Sequence, residues 1–261
     1  MKDLGLHAVL AIASLLGAST LAAAEPAPAA TPSENKAADV LRASTGWNIS
    51  LDADGKVTRI EPDGHTIAAV ADPLREAIRT WHFVSGTIAG KPAPTDTWLI
   101  VDVTLLPKRD DKYSIRIDDA RTGAHIEKSV PPHLSFSTIM HQKHGTAVVK
   151  VDYDAEGRVT NTTPYEGGPH VSPDFMRGVQ QALRKWTFRP EVVGGRGLAG
   201  SSIVPVCLTV TEGPRLPKTP PVGECDDWKA PGSHDTDVHS GDSFALEPVA
   251  KLQSDVIGHT L

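Results

Sequence analysis

The sequence lacks an excess of basic residues. Lysine and arginine number 26 against 32 aspartates and glutamates, so the formal net charge is −6 at pH 7 and the isoelectric point is near 6.0. Proteins whose main partner is nucleic acid or anionic lipid usually carry a basic surface, so both partners are disfavoured here. Apolar residues make up 39% of the chain, which is enough to bury a core and argues against wholesale disorder.

Signatures of the common catalytic and cofactor sites are missing as well. The chain has no G-x-S-x-G elbow, no P-loop, no C-x-x-C pair and no H-E-x-x-H helix. Gly195, Gly197 and Gly200 match G-x-G-x-x-G, but a helix is predicted before them and a strand after, the reverse of what dinucleotide binding needs. His141 and His144 have the spacing of a helical metal chelate, although solvated loop residues are the favoured interpretation. We predict no cofactor, no bound metal and no enzymatic activity.

The N-terminus has the pattern of a secretory signal peptide. Lys2 precedes an apolar run from Leu4 to Leu21, and three alanines ending at Ala24 offer the small residues of a cleavage site. We therefore predict that residues 1–24 are a cleaved signal peptide. An uncleaved membrane anchor is the alternative, because the run is long enough to span a bilayer. No cysteine lies near the cleavage point, which disfavours a lipoprotein.

Cysteine is scarce, with only Cys207 and Cys225 in the whole chain. Export would bring both residues into an oxidising compartment, where disulfides form and persist. We predict a disulfide between them, the alternative being two unpaired thiols. In the chain-entropy model, a loop of this length gives about 3 kcal/mol of stabilisation.

Composition divides the rest of the chain into three parts. Residues 25–38 are rich in proline and alanine, which predicts an extended linker. Residues 213–261 are rich in proline, glycine, aspartate and histidine with few sustained apolar patterns, which predicts an irregular polar tail. Between these segments, strand-like and helix-like patterns alternate.

The central part contains an internal repeat. Residues 47–58 match residues 149–160 at an offset of 102, and residues 77–83 match residues 182–188 at an offset of 105. The shared strings are D-A-D-G-K-V-T against D-A-E-G-R-V-T, and A-I-R-T-W-H-F against A-L-R-K-W-T-F. Agreement in order, spacing and residue type at several points indicates a duplication.

The first matched segment predicts a β-hairpin. Trp47, Ile49 and Leu51 alternate with polar residues, as in a half-buried strand, and the second copy has the same pattern. Gly55 and Gly157 occupy equivalent turns that lead into a second strand. The acidic residues before Gly55 hint at a calcium loop, but the other ligands of an EF-hand are missing, so a plain turn is favoured.

The second matched segment predicts a helix. Asp72-Pro73 and Ser172-Pro173 each combine an N-cap residue with a proline at the first helical position. Apolar residues follow at helical spacing and end in a tryptophan, with a phenylalanine two residues later. These aromatic residues are Trp81, Phe83, Trp186 and Phe188. We interpret them as structural core residues rather than a ligand platform.

Each copy closes with one more predicted strand, Trp98 to Leu105 or Ile203 to Val210. The predicted fold class is therefore α+β, with two tandem small modules, each a helix packed on a three-stranded antiparallel sheet in the order β-β-α-β. The predicted boundaries are 39–107 for the first module, 108–129 for a connector with a possible strand from Lys112 to Ile117, and 130–212 for the second module.

The second copy resembles the C-terminal domain of TonB energy transducers. That domain begins with a Pro-Pro segment, runs a strand into an acidic-Gly turn, and ends its helix in Trp-x-Phe-x-Pro. The matching residues here are Pro131-Pro132, Glu156-Gly157 and Trp186 to Pro190. The first copy is a degenerate match, with Val84-Ser85 where Arg-Pro would stand.

The resemblance implies a periplasmic protein that binds an envelope protein or receptor segment by adding a strand to a free sheet edge. The last strand is the candidate edge, and Pro205 within it suits an edge position. Its candidate partner-binding residues are Ile203, Val204, Val206, Leu208 and Thr209.

The chain departs from a working transducer in two respects. Ser14 has no histidine four residues later, and the linker 25–38 would reach only about 45 Å even as polyproline II. We therefore expect an exported, non-catalytic binding or adaptor protein whose mature form does not span the membrane. An inner-membrane-anchored transducer and an uncharacterised envelope enzyme are the alternatives.

Overall fold

The computed structural model describes residues 40–64, 66–108, 112–142, 144–209, 225, 227–232 and 237–261. These residues form a mixed α/β protein that is made mostly of antiparallel strands, with three short helices. The predicted signal peptide and the linker 25–38 lie outside the described residues, so both stay predictions.

The secondary structure follows the chain in a regular order of strands interrupted by the helices. The elements are β1 (Leu41–Leu51), β2 (Val57–Pro62), α1 (Ala68–Ile78), β3 (Phe83–Val84), β4 (Thr87–Ile88), β5 (Lys91–Pro92), β6 (Thr95–Pro107), β7 (Tyr113–Gly123), β8 (His125–Lys128), α2 (Phe136–Gln142), β9 (His144–Tyr153), β10 (Val159–Pro164), α3 (Pro173–Leu183), β11 (Thr187–Arg189), β12 (Val192–Val193), β13 (Arg196–Gly197), β14 (Gly200–Thr209), β15 (Phe244–Ala245) and β16 (Lys251–Leu252).

The first region, residues 40–107, is organised around the central strand β1. Trp47 of β1 lies opposite Pro62 of β2 on one side and opposite Leu99 of β6 on the other. Because side chains alternate along a strand, β1 presents Trp47, Ile49 and Leu51 to one face, against the apolar stripe of α1. Each large apolar side chain buried in this way contributes about 1.5–3 kcal/mol.

The second region, residues 144–209, is organised in the same manner around β9. Val149 of β9 lies opposite Pro164 of β10 and opposite Val204 of β14. The side chains that β9 directs toward α3 are Val149, Val151 and Tyr153, which pack with Phe175, Val179 and Leu183. The order of strand pairing around the central strand is therefore the same as in the first region.

Both regions share a contact between the hairpin turn and the chain that leaves the helix. The Phe83 N–H donates to the Gly55 carbonyl at 3.0 Å, and the Phe188 N–H donates to the Gly157 carbonyl at 2.8 Å. Both glycines have a φ of 80°, and a Cβ at either would lie 1.7 Å from the phenylalanine carbonyl oxygen, so only glycine fits. Trp81 and Trp186 are each 5% exposed.

The start of the first helix differs from the prediction. The helix α1 begins at Ala68, so Pro73 lies inside it and Asp72 is not its N-cap. The extra turn is favoured because alanines are the best helix formers and because it buries Val70. The helix α3 does begin at its proline, and Ser172 Oγ accepts a hydrogen bond from the Phe175 N–H at 3.3 Å.

The connector supplies a long strand to the first sheet. The strand β7 pairs along β6, from Gly123 opposite Trp98 to Tyr113 opposite Pro107. It occupies the place where the sequence predicted a possible strand from Lys112 to Ile117, and it extends six residues further along the chain. The next strand, β8, pairs with β11 instead.

The tail packs on both regions, with Ala250 and Val256 in the core of the first and the segment from Cys225 to Phe244 on the second. Cys207 and Cys225 form the predicted disulfide, with their Cα atoms 5.5 Å apart. The tail backbone is mostly irregular where it is described, but it covers the face of the second sheet opposite α3. The buried tail side chains of this cluster are Cys225, Trp228, Ala230, Val238 and Phe244.

A buried carboxylate joins the two regions to the tail. Glu191, which is 4% exposed, accepts hydrogen bonds from Thr97 Oγ1 at 2.7 Å, from the Val249 N–H at 2.7 Å and from the Ala250 N–H at 3.1 Å. Three donors satisfy a carboxylate that burial would otherwise make costly. Burial, and then this carboxylate, raise the pKa of Tyr153 to about 12.

Candidate functional site

The outer edge of β14 is the side of the strand that faces away from β9. Backbone groups of successive residues in an antiparallel strand point to opposite sides. The Pro205 carbonyl accepts a hydrogen bond from the Gly241 N–H at 2.8 Å, and the Cys207 N–H donates to Ser240 Oγ at 2.9 Å. The backbone N–H and C=O groups of the odd-numbered residues of β14 therefore point away from β9. Because Pro205 is one of these residues, its missing N–H leaves the hydrogen bonds between β14 and β9 intact.

A tail segment that we call the strap, residues 239–246, covers this edge. In the described part of the tail, β15 forms two ladder pairs with β14, Ala245 with Ser202 and Phe244 with Ile203. The Leu246 N–H also donates to the Ser201 carbonyl at 3.0 Å. Beyond Ile203, the strap contributes the two single hydrogen bonds of Ser240 and Gly241 to the outward-facing backbone.

The equivalent edge of the first region is covered much more fully. The strand β6 stands to β1 as β14 stands to β9, with Leu99 in the place of Val204. Along the outer edge of β6, β7 forms ten residue pairs, from Trp98 to Pro107. The position of a fourth strand is thus filled by a long strand in the first region and by the thin strap in the second.

A cleft of about 520 Å³ lies beside the outer edge of β14. Its walls come from β14, the strap, the polar face of the first sheet and the segment around the two prolines that precede α2. The residues that give it its character are Trp98, His125, Pro131, Phe175, Trp186 and Val206. Its volume is within the range of clefts that bind small molecules or peptide side chains.

Aromatic rings form much of the wall of this cleft. Trp98 stacks on His125 with ring centroids 3.9 Å apart and planes 20° apart. Trp186 also lines the cleft, and its Nε1–H donates to the Val130 carbonyl at 2.8 Å, which fixes the chain just before the two prolines. Rigid aromatic faces of this kind suit an apolar or aromatic side chain.

The strap is anchored on a half-buried arginine. Arg121 of β7 forms ion pairs with Asp102 of β6 and, at 3.0 Å, with Asp119. The ring of Phe244 lies over the guanidinium group, with the centroid 4.7 Å from Cζ. A cation over an aromatic face is attractive, so this contact holds the strap against the first sheet.

Carboxylates are crowded around this arginine. Asp242 of the strap accepts a hydrogen bond from the His239 N–H at 2.8 Å and is close enough to feel the charges of Arg121 and Asp102. Burial raises the pKa of the Asp119 and Asp242 carboxyls above the ordinary value, although Arg121 opposes the shift in both. The carboxylates of Asp102, Asp119 and Asp242 thus lie near one guanidinium group.

The residues predicted to form the binding edge all lie in β14, but most of their side chains are not at the edge. Val204, Val206 and Leu208 pack in the core beneath α3, and Ile203 packs under the tail. Thr209 is exposed at the end of the strand. Only the backbone of this strand therefore faces the outer edge, where Ile203 already pairs with Phe244.

Sequence analysis missed the strap and its anchors. Trp228 and Phe244 are isolated aromatic residues in a segment whose composition predicts irregular chain, and no motif surrounds Arg121. A signal was available, because large aromatic residues in a polar segment usually need an apolar surface to cover. The location of that surface depends on the tertiary structure.

The other candidate sites of the sequence separate in the structure. Within the described residues, no group of three or more His, Cys, Asp or Glu residues is placed to hold a metal ion. His141 Nδ1 is 2.8 Å from the Ser137 carbonyl in α2, whereas His144 begins β9. Gly195 lies in the turn between β12 and β13, and Gly200 begins β14, so no helix follows the glycine motif.

The comparisons with known proteins give no assignment. No protein-family model matches this chain, and no curated protein or solved structure matches it either. None of the helices formed by the described residues is long and apolar enough to cross a membrane.

Proposed function

We propose that this chain is an exported, non-catalytic binding protein whose second region takes up an extended segment of an envelope protein along the outer edge of β14. The observation that carries the proposal is the contrast between the two outer edges. Ten residue pairs join β6 to β7, whereas two pairs join β14 to β15 in the described chain. The equivalent strand of the same molecule thus accepts a full-length neighbour.

Main-chain pairing and the cleft would divide the work of recognition. Pairing with outward-facing backbone groups gives affinity that depends little on sequence, and pockets beside the strand give specificity. The cleft is lined by Val206 and by the stacked rings of Trp98 and His125. We therefore expect the bound segment to carry an apolar or aromatic side chain at one alternating position.

We further propose that the two regions are tandem modules related to the TonB C-terminal domain. Support comes from the shared strand order and from the shared turn contact of Gly55 with Phe83 and of Gly157 with Phe188. The bond from Trp186 to Val130 adds support, because it gives the Pro-Pro segment a structural reason to precede the module.

Export to the periplasm is part of the same proposal. The disulfide between Cys207 and Cys225 is expected of an oxidising compartment, and the N-terminal pattern is that of a signal peptide. Mass spectrometry of the protein recovered from the periplasmic fraction should give a mature start near Glu25. Recovery of the intact N-terminus in the membrane fraction would favour the anchored transducer.

The binding experiment uses the chain from residue 25 to residue 261 and peptides selected on it from a displayed random library. Thr209→Pro removes an outward-facing N–H without touching the ladder with β9, so we expect affinity to fall about fivefold to tenfold, as for one lost hydrogen bond. Thr209→Ala is the matched control, because it removes the same side chain and keeps the N–H. Equal affinities of the two variants would contradict strand addition at this edge.

A further inference from the structure

We propose that the strap, residues 239–246, is a detachable internal occupant of the β14 edge, and that it must leave before a partner strand can pair there. This inference rests on the proposed function. The strap uses the Ser201 and Pro205 carbonyls and the Cys207 N–H. An incoming strand would need the same backbone groups and the same space, so the two occupants exclude each other.

Two features of the strap reduce the free energy gained when it closes on the edge of β14. Its glycine, Gly241, has a φ of 90°, and the buried Ser243 hydroxyl has no hydrogen-bond partner among the described residues. Ser240 and Ser243 also line the cleft, so part of the strap borders open space and its packing is incomplete. Incomplete packing and an unpaired hydroxyl both reduce the free energy gained by closing the strap.

The strap is tied at both of its ends. On the N-terminal side, the disulfide holds Cys225 against Cys207. On the C-terminal side, Glu191 holds the backbone of Val249 and Ala250. Release of residues 239–246 would therefore open a local loop and leave the rest of the tail in place, which makes the opening inexpensive and reversible.

Phe244 makes the main side-chain contacts that hold the strap in place. Its ring covers the Arg121 guanidinium and meets Trp228 edge-to-face, with centroids 5.8 Å apart. The Phe244→Ala variant removes both contacts and should favour the open strap. We expect it to bind the selected peptides about tenfold more tightly, because a larger fraction of the protein is then competent to bind.

An engineered disulfide between the strap and β14 should have the opposite effect, because it prevents the strap from leaving. The Ser202 N–H faces β9, so Ser202 and Ala245 form a non-hydrogen-bonded pair, whose Cα atoms lie about 4.5 Å apart and within reach of a disulfide. The double variant Ser202→Cys with Ala245→Cys should lose peptide binding when oxidised. Reduction should restore binding to the level of the reduced unmodified protein, which is the control for loss of the natural disulfide.

Amide hydrogen exchange separates failure of this inference from failure of the proposed function. If the strap detaches alone, the Gly241 and Leu246 amides exchange faster than those of Val204 and Val206, whether or not any peptide binds. Exchange of all four at one common rate would overturn the inference, as would undiminished binding by the oxidised double variant. If neither the unmodified protein nor Phe244→Ala selects a peptide, the proposed function fails, while exchange still decides whether the strap opens.

Discussion

The two regions bury equivalent cores, but the outer edges of their last strands are covered differently. In each, a central strand is flanked by two others, and a helix ending near a 5%-exposed tryptophan covers one face. The last strand β6 then receives a long neighbour from the connector, whereas β14 receives a short strap and a disulfide. Exposed strand edges invite unwanted pairing, so both must be covered. This contrast is the basis of our proposal that a partner strand can replace the strap at β14.

Replacement of the two core tryptophans should give the largest effect. Trp81→Ala and Trp186→Ala should each lower the free energy of unfolding by about 3–5 kcal/mol, measured by denaturant titration. We expect Trp186→Ala to cost about 1 kcal/mol more, because its Nε1–H also donates to Val130. Trp81→Phe and Trp186→Phe are the controls that keep an aromatic core. A negligible cost for either alanine variant would end the equivalence of the regions.

Substitutions at the prolines of the two helices should have effects of intermediate size on the free energy of unfolding. Pro73 lies inside α1, where proline is about 3 kcal/mol less favourable than alanine, whereas Pro173 is the first residue of α3, where proline is well tolerated. Pro73→Ala should therefore raise the free energy of unfolding by about 1–3 kcal/mol. Pro173→Ala should change it by less than about 0.5 kcal/mol. Similar effects of the two substitutions would mean that both helices begin at their prolines.

The smallest expected effect is a pH dependence at the strap. Burial raises the pKa of Asp242 above its unfolded value, so the folded state binds more protons. The stability that this group contributes is complete below the unfolded pKa and is lost as the pH rises through the folded pKa. We therefore expect the free energy of unfolding of the unmodified protein, relative to that of Asp242→Asn, to be larger near pH 4 than near pH 7. Urea unfolding at the two pH values measures this difference. Asp119→Asn on β7 should show a pH dependence in the same direction, because the pKa of Asp119 is also raised. A stability difference that does not change with pH would contradict the prediction.

Local patterns predicted much of each region. The alternation around Trp47, the turns at Gly55 and Gly157 and the helix beginning at Pro173 are properties of short segments, and the structure has a strand, two turns and a helix there. The predicted start of α1 was wrong. The cap signal at Asp72 was outweighed by the burial of Val70 in the additional turn that begins at Ala68. Propensity at a helix end is worth about 1 kcal/mol and yields to burial of a core side chain.

The candidate site was predicted only in part. Pro205 predicted an edge strand, whereas β14 lies between β9 and the two-residue strand β15, and the Pro205 carbonyl accepts a hydrogen bond from the Gly241 N–H. Nothing near β14 in the sequence indicated that Phe244 would cover that edge or that Arg121 would receive its ring. These contacts join segments 41 and 123 residues apart, and the polar composition of the tail gives no periodic signal.

The sequence alone determined the repeat, the alternation that gives each central strand one apolar face, and the pairing of the only two cysteines. These follow from side-chain period and from residue identity, which act over a few neighbouring residues. The tertiary structure decided which segment lies beside β6 and which beside β14. Backbone groups at a sheet edge pair with any strand that reaches them, so the choice depends on where the connector and tail are tied, through Arg121, Glu191 and the disulfide.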